Sequence, residues 1–406
     1  DKRMSSTEIT AIIMVLMISF TGTAAFRVSV PAVAFYTRQI LETTALGVGL
    51  LTSSFFAGRA LFAVITGGIS DRYRKKIIYL AIICFAINAL VVSLYSYADN
   101  ITEVILIRAL QGALNGTAWV SIQVILGSIV RTSIRGRVYS IYFASGTLGN
   151  VIANTLYSHM ANNPLSTILV VSSGLFLMAS LLCVGVSLLL PSILREDIII
   201  RRNEKKGSNI GEPMSGLAAI PIALIILGTS MFTSVVRGDL IYIYMNEAFN
   251  LLKSDVANVI AITSLLALLG GYLISWISDR ISDVLALRMA TVIGFLGALS
   301  IGVRSIVVVL IGLILYYIAN SAVISISRRV AITYYRLGGT FLGIVNAIGN
   351  IGSITGSSIA GIVYDVYGLS TISIGGVHFT GFVFIISMIV AIPVVCSFLL
   401  LKTQHH

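Results

Sequence analysis

The sequence predicts an all-α integral membrane protein whose twelve transmembrane helices fall into two related six-helix halves. Three observations carry this prediction. Of 406 residues, 57% are hydrophobic and only 11% are charged, with a mean hydropathy of +0.98, whereas a soluble domain carries about 25% charged residues. The apolar residues form continuous runs that reach the roughly 20 residues needed to cross a bilayer as a helix. They do not alternate with the period of two that a transmembrane barrel requires. A single long polar interval, Pro191 to Pro213, then divides the runs into six and six.

In order, the first six runs are Ile9 to Tyr36, Thr44 to Ser70, Ile77 to Tyr97, Thr102 to Val130, Val138 to Met160 and Leu165 to Leu190. The second six are Gly216 to Met245, Val256 to Ser278, Val284 to Val303, Ile306 to Ile326, Gly338 to Tyr364 and Val377 to Leu401. Residues 1–190 and 216–406 are thus the two halves, and 191–215 is a linker carrying Arg195, Arg201, Arg202, Lys205 and Lys206. The first run is too long for a cleaved signal segment and contains Arg27.

Basic residues set the expected orientation. The terminal segments, the linker and alternate loops such as Arg72 to Lys76 and Arg131 to Arg137 hold nearly all Lys and Arg, while the other side has only Arg38, Lys253 and Arg304. The positive-inside rule places the rich side, with both termini, in the cytoplasm of a cell (plasma or inner) membrane. The net charge of +11 is then a topology signal, and nucleic acid is not an expected partner. Cys84, Cys183 and Cys396 all lie in apolar runs, and His159 and His378 have no ligand-spaced companions, so neither a disulfide, a metal nor a cofactor is expected.

The halves echo each other. Gly22, Thr23 and Phe26 are matched by Gly228, Thr229 and Phe232, Asp71-Arg72 by Asp279-Arg280, and Gly149-Asn150 by Gly349-Asn350. Gly67 to Lys76, Gly-Gly-Ile-Ser-Asp-Arg-Tyr-Arg-Lys-Lys, resembles the Gly-x-x-x-Asp-Arg-x-Gly-Arg-Arg/Lys loop between spans two and three of the major facilitator superfamily, with Arg74 in place of the second glycine. Arg108-Ala-Leu-Gln111-Gly112 is similar to that superfamily's Arg-x-x-Gln-Gly motif in span four. The resemblance covers the whole chain. It implies a monomeric secondary transporter with a central cavity and alternating access to a small solute. Asp71 can pair with arginines or with a neighbouring helix N-terminus, so Gly67, Asp71, Arg72, Asp279 and Arg280 form a candidate gating motif. Gly67 and Gly68 are expected at a close helix approach.

Four arginines fall inside the spans: Arg27, Arg59, Arg108 and Arg237. Each costs at least about 2.5 kcal/mol at the bilayer centre, so they are expected to line a wet cavity. Arg27 and Arg237 sit at similar depth in spans one and seven, a candidate symmetric pair whose guanidinium forks suit carboxylate or phosphate. The other reading is a structural lock on Asp239 or on helix carbonyls. Arginines on these two spans resemble those of the superfamily's organophosphate and organic anion carriers. Arg59 serves either a solute or a neighbouring helix.

Arg108 begins a stripe with Gln111, Asn115, Trp119 and Gln123 whose face is expected to meet water or solute. Span five adds Tyr139, Tyr142, Asn150 and Asn154, and span eleven adds Asn346, Asn350 and Ser357. One branch of anion carriers has an acid where Asn115 stands and another before the span-one arginine, where Phe26 stands, which leaves Asp239 as the candidate proton carrier. The drug antiporters' Gly-Pro pair in span five is Gly149-Asn150 here. The expected cargo is an organic or phosphorylated anion. The alternative is proton-coupled export of drugs or amphipathic lipids along aromatic walls such as Phe55, Phe56, Trp119 and Trp276. No P-loop, His-Glu-x-x-His, Gly-x-Ser-x-Gly or intramembrane carboxylate pair occurs, so an enzyme is not expected.

Overall fold

The computed structural model describes residues 5–73, 76–130, 134–201, 219–280, 282–335 and 339–400. Helix α1 (Ser6–Phe35) opens with a reciprocal cap in which Ser5 N–H donates to Glu8 Oε2 and Glu8 N–H to Ser5 Oγ. It closes in a π-helical turn, Tyr36–Ile40. There follow α2 (Ala45–Tyr73), α3 (Ile77–Ser93) with a 3₁₀ turn at Leu94–Tyr97, α4 (Ile101–Ile129), α5 (Arg135–Met160) and α6 (Leu165–Arg201). Helix α6 runs through Pro191 and continues ten residues into the interval read as linker. Residues 202–218, with the remaining linker cations, lie outside the described residues.

The second half begins with a broken rod, α7 (Ala219–Val236) and α8 (Leu240–Phe249), bent by 55° at Arg237 to Asp239. Then come α9 (Lys253–Arg280), α10 (Asp283–Ile301), α11 (Ile306–Tyr335) and α12 (Gly339–Tyr367). The last run departs from expectation: Val377 to Thr380 is not helical. It is strand β2 (Val377–Thr380), paired antiparallel with β1 (Thr371–Ile374) around Gly375 and Gly376, both at positive φ. The final rod, α13 (Gly381–Ser387) and α14 (Ala391–Leu399) joined by a 3₁₀ turn, starts only there.

Among the described residues, nine helices are long and apolar enough to cross a membrane and the bent pair makes a tenth. Helices α5 and α12, richer in Gly, Ser and Asn, complete the twelve. Residues such as Leu90, Leu181, Val170 and Leu269 are two-thirds exposed or more, as lipid-facing positions should be. The repeat is visible in the packing. In the first half, α3 packs on α6, and Gly149 of α5 lies against the Phe20 carbonyl of α1. In the second, α10 packs on α14, and Gly356 of α12 lies against the Met231 carbonyl of α7.

The chain divides into two compact units. Unit 1 is Asp1–Ala32, Gly58–Ala98 and Leu106–Ile210; unit 2 is Val33–Ala57, Asp99–Ile105 and Gly211–His406. The end of α1 and the first part of α2 therefore pack with the second half.

Candidate functional site

Unit 1 gathers three of the four intramembrane arginines. Arg108 on α4 is fully buried, its guanidinium 5.4 Å from the Phe26 ring and 5.6 Å from the Tyr95 ring. Its Nη1 donates to Gln111 Oε1 at 3.3 Å, and Tyr95 Oη donates to the same oxygen at 2.7 Å. Asn115 Nδ2 donates to the Gln111 carbonyl at 2.9 Å, and Trp119 Nε1 to Asn115 Oδ1 at 3.1 Å. The stripe expected to meet water is thus sealed at Arg108, Gln111 and Asn115, each at most 1% exposed, and becomes accessible only at Trp119 and Gln123. A polar stripe in an apolar medium can turn to water or to its own neighbours; here neighbours take Gln111 Oε1 and both ends of the Asn115 amide, while Gln111 Nε2 is buried with no hydrogen-bond partner among the described residues.

Arg27 and Arg59 are half-buried. Arg27 lies 5.9 Å from the Phe26 ring, so that one ring serves both Arg27 and Arg108. Arg59 is held at a crossing with no room for side chains: a Cβ on Gly116 would meet the Arg59 carbonyl oxygen at 2.5 Å, and one on Gly58 would strike the Ala109 carbonyl. Trp119 is fixed edge-on to Phe85 at 5.5 Å, with Phe176 behind at 6.4 Å. Tyr142 is buried, its backbone carbonyl accepting from Ser19 Oγ, while Tyr139 Oη donates to the Gln123 carbonyl.

Unit 2 holds Arg237 and Asp239 at the α7/α8 break, which leaves backbone carbonyls without intrahelical partners. Tyr317 of α11 answers this: its Oη donates to the Val236 carbonyl at 2.7 Å, and its ring lies 4.6 Å from the Arg237 guanidinium. Above it, Tyr316 Oη donates to the Thr229 carbonyl and Thr233 Oγ1 to Asn320 Oδ1. Asp239 is 3% exposed, its Oδ2 accepting from Thr52 Oγ1 at 2.8 Å while its own N–H donates back to Thr52 at 3.0 Å. The candidate arginine pair therefore sits in unlike settings, Arg27 within an unbroken helix and Arg237 at a break. Asn346 is exposed on α12.

For the loop motif, Arg72 is exposed beside Tyr73, and Arg280 is exposed at the end of α9. The side chains of Asp71 and Asp279, and that of Trp276, lie outside the described residues. A Cβ on Gly67 or Gly68 would meet nothing within 4 Å among the described residues, so neither glycine is at a close approach to any of them.

Sequence reasoning missed a cluster in unit 2. Arg38, in the π turn after α1, makes a two-pronged pair with Glu247 of α8, Nε to Oε1 at 2.7 Å and Nη2 to Oε2 at 3.3 Å. Tyr364 of α12 donates to the same carboxylate. Asp365 accepts from the first N–H groups of α2, Ala45 to Oδ1 at 2.7 Å and Leu46 to Oδ2 at 2.9 Å. The residues were visible, but nothing local pairs Arg38 with Glu247, 209 positions apart.

A polytopic helical protein with arginines, amides and aromatics inside its spans, and a helix broken within the membrane, has the make-up of a solute carrier. It is a transport protein. Residues 12–331 match the family model of the Major Facilitator Superfamily, and the chain belongs to that family. Solved structures with the same fold include the nucleoside transporter NupG (13% identity, TM-score 0.64, covering 99% of this chain and 100% of that one). Another is a bacterial homolog of the human lysosomal transporter Spinster, in an inward-facing and occupied conformation (14% identity, TM-score 0.71, 98% of each chain). No curated protein sequence matches the chain.

Proposed function

We propose that the protein carries a small organic or phosphorylated anion by alternating access, with the two halves exposing a central site first to one side and then to the other. One observation carries the anion reading. Unit 1 buries or half-buries Arg27, Arg59 and Arg108 in its apolar body, while α1 to α5 carry carboxylates only near helix ends, at Glu8, Asp71 and Glu103. A net positive set of guanidinium groups in low dielectric favours an anionic guest. Arg108 is sealed and positions its neighbours, and Tyr142 is buried behind them; Arg27 and Arg59, partly open, are the contact candidates, with Arg237 in the second half and Asn346 and Trp119 as further lining. Asp239, buried at the helix break with its carboxylate on Thr52, is the candidate coupling site. Gly67, Asp71 and Arg72, with Asp279 and Arg280, are the candidate cytoplasmic gate.

A second reading, export of amphipathic drugs or lipids, is favoured by the aromatic wall of Trp119, Phe85 and Phe176. A thermal-shift panel of organic acids, sugar phosphates, nucleosides and lipophilic cations separates the two, followed by uptake into proteoliposomes. An anion should stabilise the protein, accumulate in the vesicles, and lose both effects in Arg27→Gln and Arg237→Gln. Stabilisation by lipophilic cations alone, or by an anion indifferent to both substitutions, rejects the anion reading.

A further inference from the structure

The corner between α12 and α13 carries an apolar face left open at its tip. Strands β1 and β2 pair Thr371 with Thr380, Ile372 with Phe379, Ser373 with His378 and Ile374 with Val377. Side chains alternate along a strand, and cross-strand partners share a face. The hairpin is therefore apolar on one face, with Ile372, Ile374, Val377 and Phe379, and polar on the other, with Thr371, Ser373, His378 and Thr380. On the polar face Ser373 Oγ lies 2.8 Å from His378 Nδ1 across the strands. On the apolar face the root is packed, the Phe379 ring lying 4.9 Å from that of Phe384 on α13. The tip is not: Ile374 is 51% exposed and Val377 43%.

The chain cannot carry this face away from the membrane. Thr380 leads directly into α13, and only Gly368 to Ser370 separate the end of α12 from β1. The base is closed by Gly381 N–H donating to the Ser370 carbonyl at 2.7 Å. Strand β2 is also tied to the turn between α10 and α11: Thr380 N–H donates to the Gly302 carbonyl at 2.7 Å and Arg304 N–H to the His378 carbonyl at 2.9 Å. Four residues of strand reach about 13 Å, so the tip stays within or beside the headgroup layer in which the spans end. Residues 366–380 contain no Asp, Glu, Lys, Arg or Pro, and charges and proline are what water-facing hairpins use to guard an exposed edge. Val366 and Tyr367, where α12 ends, are 69% and 49% exposed, so the open apolar surface runs from the end of a span onto the hairpin. A tyrosine at a span end suits the interfacial belt. Exposed Arg304, whose guanidinium donates to the Leu369 carbonyl, sets a cation beside it that suits lipid phosphate.

We propose that the β1–β2 hairpin is an interfacial anchor whose apolar face, Ile374 and Val377 foremost, inserts at the boundary between headgroups and acyl chains of the adjoining leaflet, with Ser373 and His378 turned to water. The partner is the lipid surface itself. The anchor does not depend on which solute is carried, or on which side of the membrane the hairpin lies.

The test uses the full chain in vesicles of phosphatidylcholine and phosphatidylglycerol. A nitroxide is attached at Ile374→Cys or Val377→Cys and, as references on the opposite face, at Thr371→Cys or Ser373→Cys. The three native cysteines are buried, and the parent protein treated with the same reagent gives the background. Collision with oxygen, which concentrates among acyl chains, is compared with collision with a water-soluble nickel chelate. The oxygen-to-nickel ratio at the two apolar-face positions should exceed that at the two references several-fold; the references carry the same label, so an affinity of the label for lipid cannot produce the difference. Equal ratios on the two faces overturn the anchor. Low access to both reagents at Ile374→Cys means that protein covers the face, a second copy of the chain included, and overturns it as well. Should the labelled variants fail to fold, Ile374→Trp against Ser373→Trp in vesicles of brominated phosphatidylcholine decides the matter. Quenching of the added indole several-fold stronger on the apolar face supports the anchor, and equal quenching refutes it.

Discussion

The crossing of α2 and α4 gives the sharpest test of the packing, because glycines of opposite setting lie on the same helix pair. Gly116→Ala places a methyl 2.5 Å from the Arg59 carbonyl oxygen and 3.1 Å from its Cα. That is about 0.9 Å inside ordinary contact, and the atoms in the way are backbone, so the helices must shift. Overpacking of this kind costs about 1–3 kcal/mol. An obstacle that cannot rotate aside belongs at the upper end. Alanine returns about 1 kcal/mol of helix propensity, which leaves a net loss of about 2 kcal/mol. Gly67→Ala on α2 meets nothing within 4 Å among the described residues and keeps the propensity gain alone. In matched detergent, intrinsic fluorescence should show Gly116→Ala melting on the order of 5 °C below the parent, with Gly67→Ala at or above it. Equal melting of the two variants, or Gly116→Ala at the parent temperature, would refute the argument.

Two further outcomes follow from the buried polar groups. Arg108→Met should lower thermal stability by about 2 kcal/mol, since two ring contacts at roughly 0.5–2 kcal/mol each and a hydrogen bond are lost while the buried charge is relieved; Arg27→Gln should leave the melting temperature nearly unchanged, and a differential scanning comparison of the two checks the assignment of scaffold and contact roles. Tyr317→Phe keeps the ring beside Arg237 but strips the donor from the Val236 carbonyl, so it should cost about 1–3 kcal/mol, read as a lower melting temperature, whereas the same change at exposed Tyr97 should cost nothing measurable.

The helices were legible because lipid leaves the chain so few choices. An apolar run of span length has to satisfy its backbone internally, and the runs at 77–97 or 165–190 admit no other reading. Legibility fell where composition is mixed. Val377 to Thr380 joined the last run on hydropathy, although β-branched residues on either side of Gly375-Gly376 carry the turn signal of a hairpin. Whether a polar stripe is wet was not legible at all. Arg108, Gln111 and Asn115 have the spacing of a cavity-lining face, and the same spacing lets Arg108 and Asn115 both bond to Gln111 within one buried helix. The Arg38–Glu247 and Asp365–α2 contacts join residues 209 to 320 positions apart, which no local pattern encodes.

The halves share a plan but not a first helix, and the difference bears on mechanism. Helix α1 passes unbroken through Arg27 and contains Pro31, while its counterpart bends by 55° and becomes α7 and α8. The break is held in a definite form: Tyr317 takes the freed Val236 carbonyl, and Thr52 takes both the N–H and the carboxylate of Asp239. Thr52 lies on the face of α2 that also meets Asp365 and Ser357 of α12, so the bend and that helix contact share one hydroxyl. The asymmetry therefore lies in the first helix of each half, a continuous rod through Arg27 in one and a side-chain-braced bend at Arg237 to Asp239 in the other.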